Sequence, residues 1–195
     1  MSPAAEPIGR LVLLRHGETE WSRDGRHTGR TDVPLTTVGE RDARQLAPRL
    51  AGFDLRLVLC SPLSRARRTA ELAGLDPVTD DDLMEWDYGA YEGRTTPEIR
   101  EERPGWLLWN DGVPGGEAIA EVGGRADRVI AELREADGDA LLFAHGHVLR
   151  VLTARWLGLE PDAGRLFALD PATLSTLGYE HETAVLRLWN RPALI

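Results

Sequence analysis

The side chains best able to do chemistry stand where apolar runs end. "LVLL" at 11–14 leads into Arg15–His16–Gly17, "LRLVLC" at 55–60 into Ser61, and "ALLFA" at 140–144 into His145. Arg65 stands shortly after Ser61. Two guanidiniums beside a helix start form an anion site, and phosphate suits it because N–H forks match its oxygens. A neutral His16 in that site can attack phosphorus and hold it covalently. A protonated His145 would add positive charge where equatorial oxygens gather negative charge. The leaving oxygen also needs an acid. "LMEWDYGAYEG" at 83–93 offers Glu85, Asp87 and Glu92, and the residues alone do not choose among them.

Continuous apolar runs of this length read as buried strands. Helical patterns alternate with them. "TTVGERDARQLAPRLAG" carries Ala43, Leu46, Ala47 and Leu50 as one stripe closing at Gly52. "SPLSRARRTAELAG" predicts a helix capped by Ser61 with Pro62 in its first turn. "EAIAEVGGRADRVIAELREADG" predicts another, weakened at Gly123–Gly124. "VLRVLTARWLG" predicts a further helix, and "STLGYEH" with "AVLRLWN" two strands joined at Glu182–Thr183. Residues 76–115 read as an insertion covering one end of the sheet, and Trp86, Tyr88, Trp106 and Trp109 either wall a pocket or form its core. Residues 1–9 read as a loose tail. The alternation predicts an α/β fold in a single domain over 1–195, its sheet mostly parallel and covered on both faces. Ligands sit beyond the carboxyl ends of such strands. Arg15, His16, Ser61 and His145 then converge, provided the three strands are neighbours.

A net charge of −9 argues against nucleic-acid and membrane-surface partners, which call for a basic face. Cys60 is the single cysteine, so neither a disulfide framework nor a cysteine metal site is expected. Histidines 16, 27, 145, 147 and 181 show no metal-ligand spacing with carboxylates, and no metal or cofactor is expected. "MSPAAEPIGR" lacks the features of a signal peptide, and no apolar run reaches the roughly 18 residues of a membrane span. A cytoplasmic location is the expectation.

"LRHGETEW", "SPLSRARRTA", "LMEWDYGAYEG" and "FAHGH" together resemble the histidine phosphatase superfamily, the phosphoglycerate-mutase-like fold. The resemblance implies a three-layer αβα sandwich and a phosphohistidine intermediate on His16. It assigns Arg15, Arg65 and His145 to the phosphate pocket and Glu85 to proton donation and then water activation. It makes the Gly17 carbonyl the partner that orients the imidazole. Ser22, Thr28, Gly29, Tyr88, Gly146 and His147 are implied substrate contacts, with His147 where mutases tend to carry asparagine. Mutases of this family tend to place an arginine pair after a tryptophan in the insertion. Here Trp109 is followed by Asn110 and Asp111, which favours hydrolysis. The fuller motifs are similar to actinobacterial acid phosphatases and to fungal sedoheptulose-1,7-bisphosphatase. A metal-independent phosphomonoesterase acting on a small phosphorylated substrate is expected. A cofactor-dependent phosphoglycerate mutase and a non-catalytic phosphate-binding protein are the alternatives. The family also implies a possible homodimer.

Overall fold

The aliphatic runs become neighbouring strands. The computed structural model describes residues 9–192. Its strands are β1 (Leu11–Arg15), β2 (Leu55–Cys60), β3 (Val78–Thr79), β4 (Asp139–Ala144), β5 (Thr173–Glu180) and β6 (Thr183–Pro192). They form one sheet in the order β3-β2-β4-β1-β5-β6. Pairing is parallel from β3 through β1 and antiparallel at β5 and β6. The strands ending in Arg15, Cys60 and Ala144 are therefore adjacent, with β4 in the middle.

Helices cover both faces: α1 (Glu20–Arg23), α2 (Thr37–Arg44), α3 (Ala47–Leu50), α4 (Ser64–Leu72), α5 (Thr96–Glu102), α6 (Leu108–Asp111), α7 (Ile119–Arg134) and α8 (Gly146–Trp156). Strand side chains alternate between the faces. Leu11 and Leu13 of β1 join a core with Val122, Val129 and Leu149 of α7 and α8. Val12 and Leu14 join a second core with Leu46, Ala66 and Ala70. Two cores on either side of one sheet make the three layers.

Three local expectations change. The single helix over 36–52 is two, because Pro48 in the first turn of α3 lacks an N–H and its ring excludes a continuous helix through Arg44. The Ser61 cap is replaced: α4 begins at Ser64, behind Leu63. Asp32 accepts from the Ser64 N–H at 2.9 Å and from its hydroxyl at 2.8 Å. The β2 run is fully buried only at Leu59 and Cys60, the two residues that β3 pairs. The glycine pair expected to weaken α7 lies inside one continuous helix. A Cβ at Gly123 would lie 2.6 Å from Pro161 Cγ, so glycine there permits close packing.

The tail expected at 1–9 lies outside the described residues except Gly9, whose N–H donates to Gly138 O at 2.9 Å. Within 76–115, Trp86, Tyr88, Tyr91, Ile99, Trp106 and Leu108 join the core that holds Leu11 and Leu13. Trp86 and Trp106 are thus core residues. Among the described residues no helix is long and apolar enough to cross a membrane.

Candidate active site

Main-chain bonds carry the strand ladder one residue past each strand end. The His16 N–H donates to Ala144 O at 3.0 Å and the Ser61 N–H to Phe143 O at 2.9 Å. Their side chains are therefore held by the sheet. The rings of His16 and His145 lie 5.1 Å apart between centroids.

His16 has a defined tautomer. Its Nδ1 stands 2.7 Å from the Gly17 carbonyl, which can only accept, so Nδ1 carries the proton and Nε2 keeps its lone pair. Burial holds the imidazole pKa well below its ordinary value, reinforced by the charges of Arg65 and Arg15. A neutral imidazole with Nε2 free is a nucleophile. Gly17 is held in turn, its N–H donating to Thr69 Oγ1 at 3.0 Å. A Cβ on Gly17 would come within 2.6 Å of Gly39 O.

His145 is neutral too, so the protonated form that would add positive charge is not the one this arrangement holds. Arg65 Nε–H donates to His145 Nδ1 at 3.1 Å. An arginine nitrogen cannot accept, so the His145 proton sits on Nε2 and faces Ser61 Oγ at 2.7 Å. Burial, then the charge of Arg65, keeps this histidine well below its ordinary pKa. Arg65 is fully buried and also holds the loop at 28–31. Its NH1 donates to Thr31 O at 3.0 Å, and its NH2 to Gly29 O at 2.8 Å and Thr28 O at 3.2 Å.

Arg15 differs. Its NH1 donates to Leu169 O, while its buried Nε has no hydrogen-bond partner among the described residues. A buried donor left so costs stability, the usual sign of a group shaped for a ligand. The three candidate carboxylates are also separated. Glu92 accepts from the Arg30 N–H at 2.5 Å and the Thr31 N–H at 2.8 Å. Asp87 accepts from the Gly89 N–H at 2.8 Å. Glu85 alone lines the central cavity. Its Oε1 accepts from the N–H groups of Trp86 and Val148, both at 2.9 Å, and Oε2 from that of His147 at 2.9 Å. Oε2 therefore retains a site for a proton.

The cavity has a volume of about 180 Å³ and is lined by Arg15, His16, Ser22, Thr28, Glu85, Tyr88, Gly146 and His147 of the expected set. Arg65, His145, Gly17 and Gly29 stand behind this surface as supports. Gly29 in particular does not line the cavity: a Cβ there would meet the Glu92 carboxylate and Trp86 O, and its carbonyl anchors Arg65. The Ser22 hydroxyl is engaged in a capping box with Thr19. Tyr88 Oη lies 2.6 Å from His147 Nδ1.

The sequence reading missed the wall residues Gly25, Arg26, His27, Arg150 and Leu169. Burial takes the His27 pKa down to about 4. Arg150 carried a signal in its place on the helix after "HGH", one turn beyond His147. Asp111 stands after Trp109 where the sequence offered it in favour of hydrolysis, but it does not face the cavity. It instead accepts from the Leu107 N–H at 2.6 Å, away from the cavity wall.

A family model described as the histidine phosphatase superfamily (branch 1) matches residues 11–192. The chain is 47% identical over 193 residues to an acid phosphatase of Mycobacterium tuberculosis, with 94% of each covered. It is 38% identical over 189 residues to sedoheptulose 1,7-bisphosphatase of Saccharomyces cerevisiae, covering 77% of this chain and 68% of that one. It is 34% identical over 191 residues to a probable phosphoglycerate mutase of Salmonella choleraesuis, covering 92% and 89%. The solved structure of the product of open reading frame Rv3214 from M. tuberculosis matches with a TM-score of 0.90 at 43% identity, over 95% of this chain and 98% of that one.

Proposed function

Because the chain belongs to the histidine phosphatase superfamily and is a phosphatase, we propose that it hydrolyses a small phosphate monoester through a phosphohistidine on His16. The observation that carries this reading is the fixed tautomer of His16, neutral, buried and open at Nε2 beside Arg15. The Nε2 lone pair forms a bond to phosphorus as the bond from phosphorus to the leaving oxygen breaks. Glu85 gives its proton to that oxygen. Water then attacks phosphorus, Glu85 takes a proton from it, and the N–P bond electrons return to Nε2. Guanidinium groups supply the positive charge around the phosphoryl oxygens, so the proposed chemistry is metal-independent.

A volume of about 180 Å³ is below the ~300–1,000 Å³ usual for drug-sized ligands, which supports a small organic or sugar phosphate over a phosphoprotein. The compartment we propose is the cytoplasm. Rapid quenching during turnover of labelled p-nitrophenyl phosphate tests the mechanism. Label on the protein should survive base, be lost in acid and be absent from His16→Ala. Turnover persisting in His16→Ala overturns it.

Similarity to a probable phosphoglycerate mutase supports a second reading, transfer of the phosphoryl group between two hydroxyls. Interconversion of 3- and 2-phosphoglycerate faster than phosphate release would establish it over hydrolysis.

A further inference from the structure

Ala172 and Asn190 adopt the left-handed backbone conformation, at φ 53° and 54°. That conformation is costly for a residue with a Cβ and persists where its surroundings hold it. Both residues serve the loop at 167–172, which holds Arg15 by main chain and by side chain. The Ala172 N–H donates to Arg15 O at 3.2 Å and to His16 O at 3.1 Å. Leu169 O accepts from Arg15 NH1, the single hydrogen bond of that guanidinium among the described residues. A guanidinium held at one corner points wherever that corner is fixed.

The corner is fixed from the edge strand β6. Between the pairs Leu174↔Arg191 and Thr176↔Leu188, β5 advances two residues and β6 three. The extra residue makes a bulge, which bends a strand and re-aims its side chains. Trp189 and Asn190 lie in it. The Asn190 N–H donates to Ser175 Oγ at 3.0 Å. Its side chain closes a ring with Asp170: Oδ1 accepts from the Asp170 N–H at 2.7 Å, and Nδ2 donates to Asp170 Oδ2 at 2.8 Å. The Asp170 N–H and the Leu169 carbonyl are the two ends of one planar peptide unit. Asn190 therefore bonds one end of that unit and Arg15 the other. Trp189 Nε1 donates to Ala168 O, which fixes the preceding unit, and its ring lies 5.4 Å from that of Phe167.

We infer that Asn190 and Trp189 are positioning residues: they hold the peptide between Leu169 and Asp170 so that its carbonyl aims the Arg15 guanidinium at the phosphoryl group. Neither residue lines the cavity. The inference rests on the phosphatase reading through Arg15.

Exchanging the pair tests it. In Asn190→Asp two carboxylates oppose each other across the 2.8 Å bond. Adding Asp170→Asn restores a donor facing an acceptor. The readout is the dissociation constant of inorganic phosphate by calorimetry, with the unfolding midpoint measured beside it. Asn190→Asp should weaken phosphate binding about 10-fold, the smaller end of one charge-assisted contact, and the exchanged pair should recover most of that loss. In an Arg15→Gln background, Asn190→Asp should move phosphate binding less than about twofold, because the route through Arg15 is gone. Trp189→Phe keeps a ring against Phe167 and loses the donor. It should weaken phosphate in the same direction and decides the matter where Asn190→Asp does not fold. Affinity unchanged in both variants, a loss that the exchange does not recover, or a loss equal with and without Arg15 overturns the inference, whatever the midpoints do. The failures are separable. Arg15→Gln that binds phosphate as tightly as the unsubstituted protein overturns the placing of the phosphoryl group on Arg15, and the inference with it. Weakened binding in Arg15→Gln with none in Asn190→Asp or Trp189→Phe overturns the inference alone.

Discussion

At the scale of single residues, His16 is kept neutral by burial and by two neighbouring guanidiniums, while the Gly17 carbonyl fixes which nitrogen stays open. A depressed pKa leaves the nucleophile unprotonated well into acid. The acid limb of kcat/KM with p-nitrophenyl phosphate should therefore lie below pH 6.5, the ordinary histidine value. A His16-dependent limb at or above that value contradicts the assignment. Glu85→Gln removes the proton but keeps an acceptor for the α8 amides. It should slow hydrolysis of alkyl phosphates about 10²- to 10⁴-fold and p-nitrophenyl phosphate far less, because a nitrophenolate leaves without protonation. Equal loss on both substrates removes Glu85 as the acid. His16, Ser61 and His145 were legible because each follows its apolar strand directly, whereas Glu85 was singled out by the family resemblance alone. Arg150 was less so: its place one turn beyond His147 is visible in the sequence, but its packing against Trp109 is not.

Elements hold these groups through contacts between distant segments. Glu117, just before α7, and Arg125 within it brace the segment that bears Glu85. Arg125 donates to Glu117 at 2.7 and 2.9 Å and to Met84 O at 2.9 Å. Glu117 accepts from the Asp87 N–H at 3.0 Å, and its carbonyl from Trp86 Nε1 at 2.9 Å. Removing Arg125 leaves the mostly buried Glu117 carboxylate with the longer 3.4 Å contact to Arg30 as its remaining ion pair among the described residues. Arg125→Gln should cost about 2–3 kcal/mol, toward the lower end for such pairs, and the double substitution with Glu117→Gln less. Urea unfolding measures both; additive losses would show that the pair is not coupled. The same long-range character explains why the start of α4 was misread. Asp32, far away in sequence, caps Ser64, while the Ser61 hydroxyl faces His145. Local sequence cannot show a cap supplied from another loop.

For the whole molecule, layer order was legible because the aliphatic strand text has one period and the helices another. The mixed edge was less so, since antiparallel β5 and β6 share the composition of their parallel neighbours. Four histidines, the buried His16 and His145 and the partly buried His27 and His147, have lowered pKa values. They stay neutral in the fold but gain protons once unfolded, so stability falls as pH drops below about 6.5. For His27, lowered to about 4, the loss by pH 5 is on the order of 2 kcal/mol, or roughly 4–8 °C in the unfolding midpoint. Thermal scans from pH 7 to 5 should show that fall, shallower in His27→Gln; an unchanged slope refutes this share. His16, His145 and Ser61 hang from three adjacent strands, whereas Arg26 and Tyr88 come from loops, Ser22 from the short α1 and Arg150 from α8. Inheritance can thus act on the two groups separately. Drift in the outer group can retune which metabolite is accepted while the bond-making apparatus passes unchanged from ancestor to descendant.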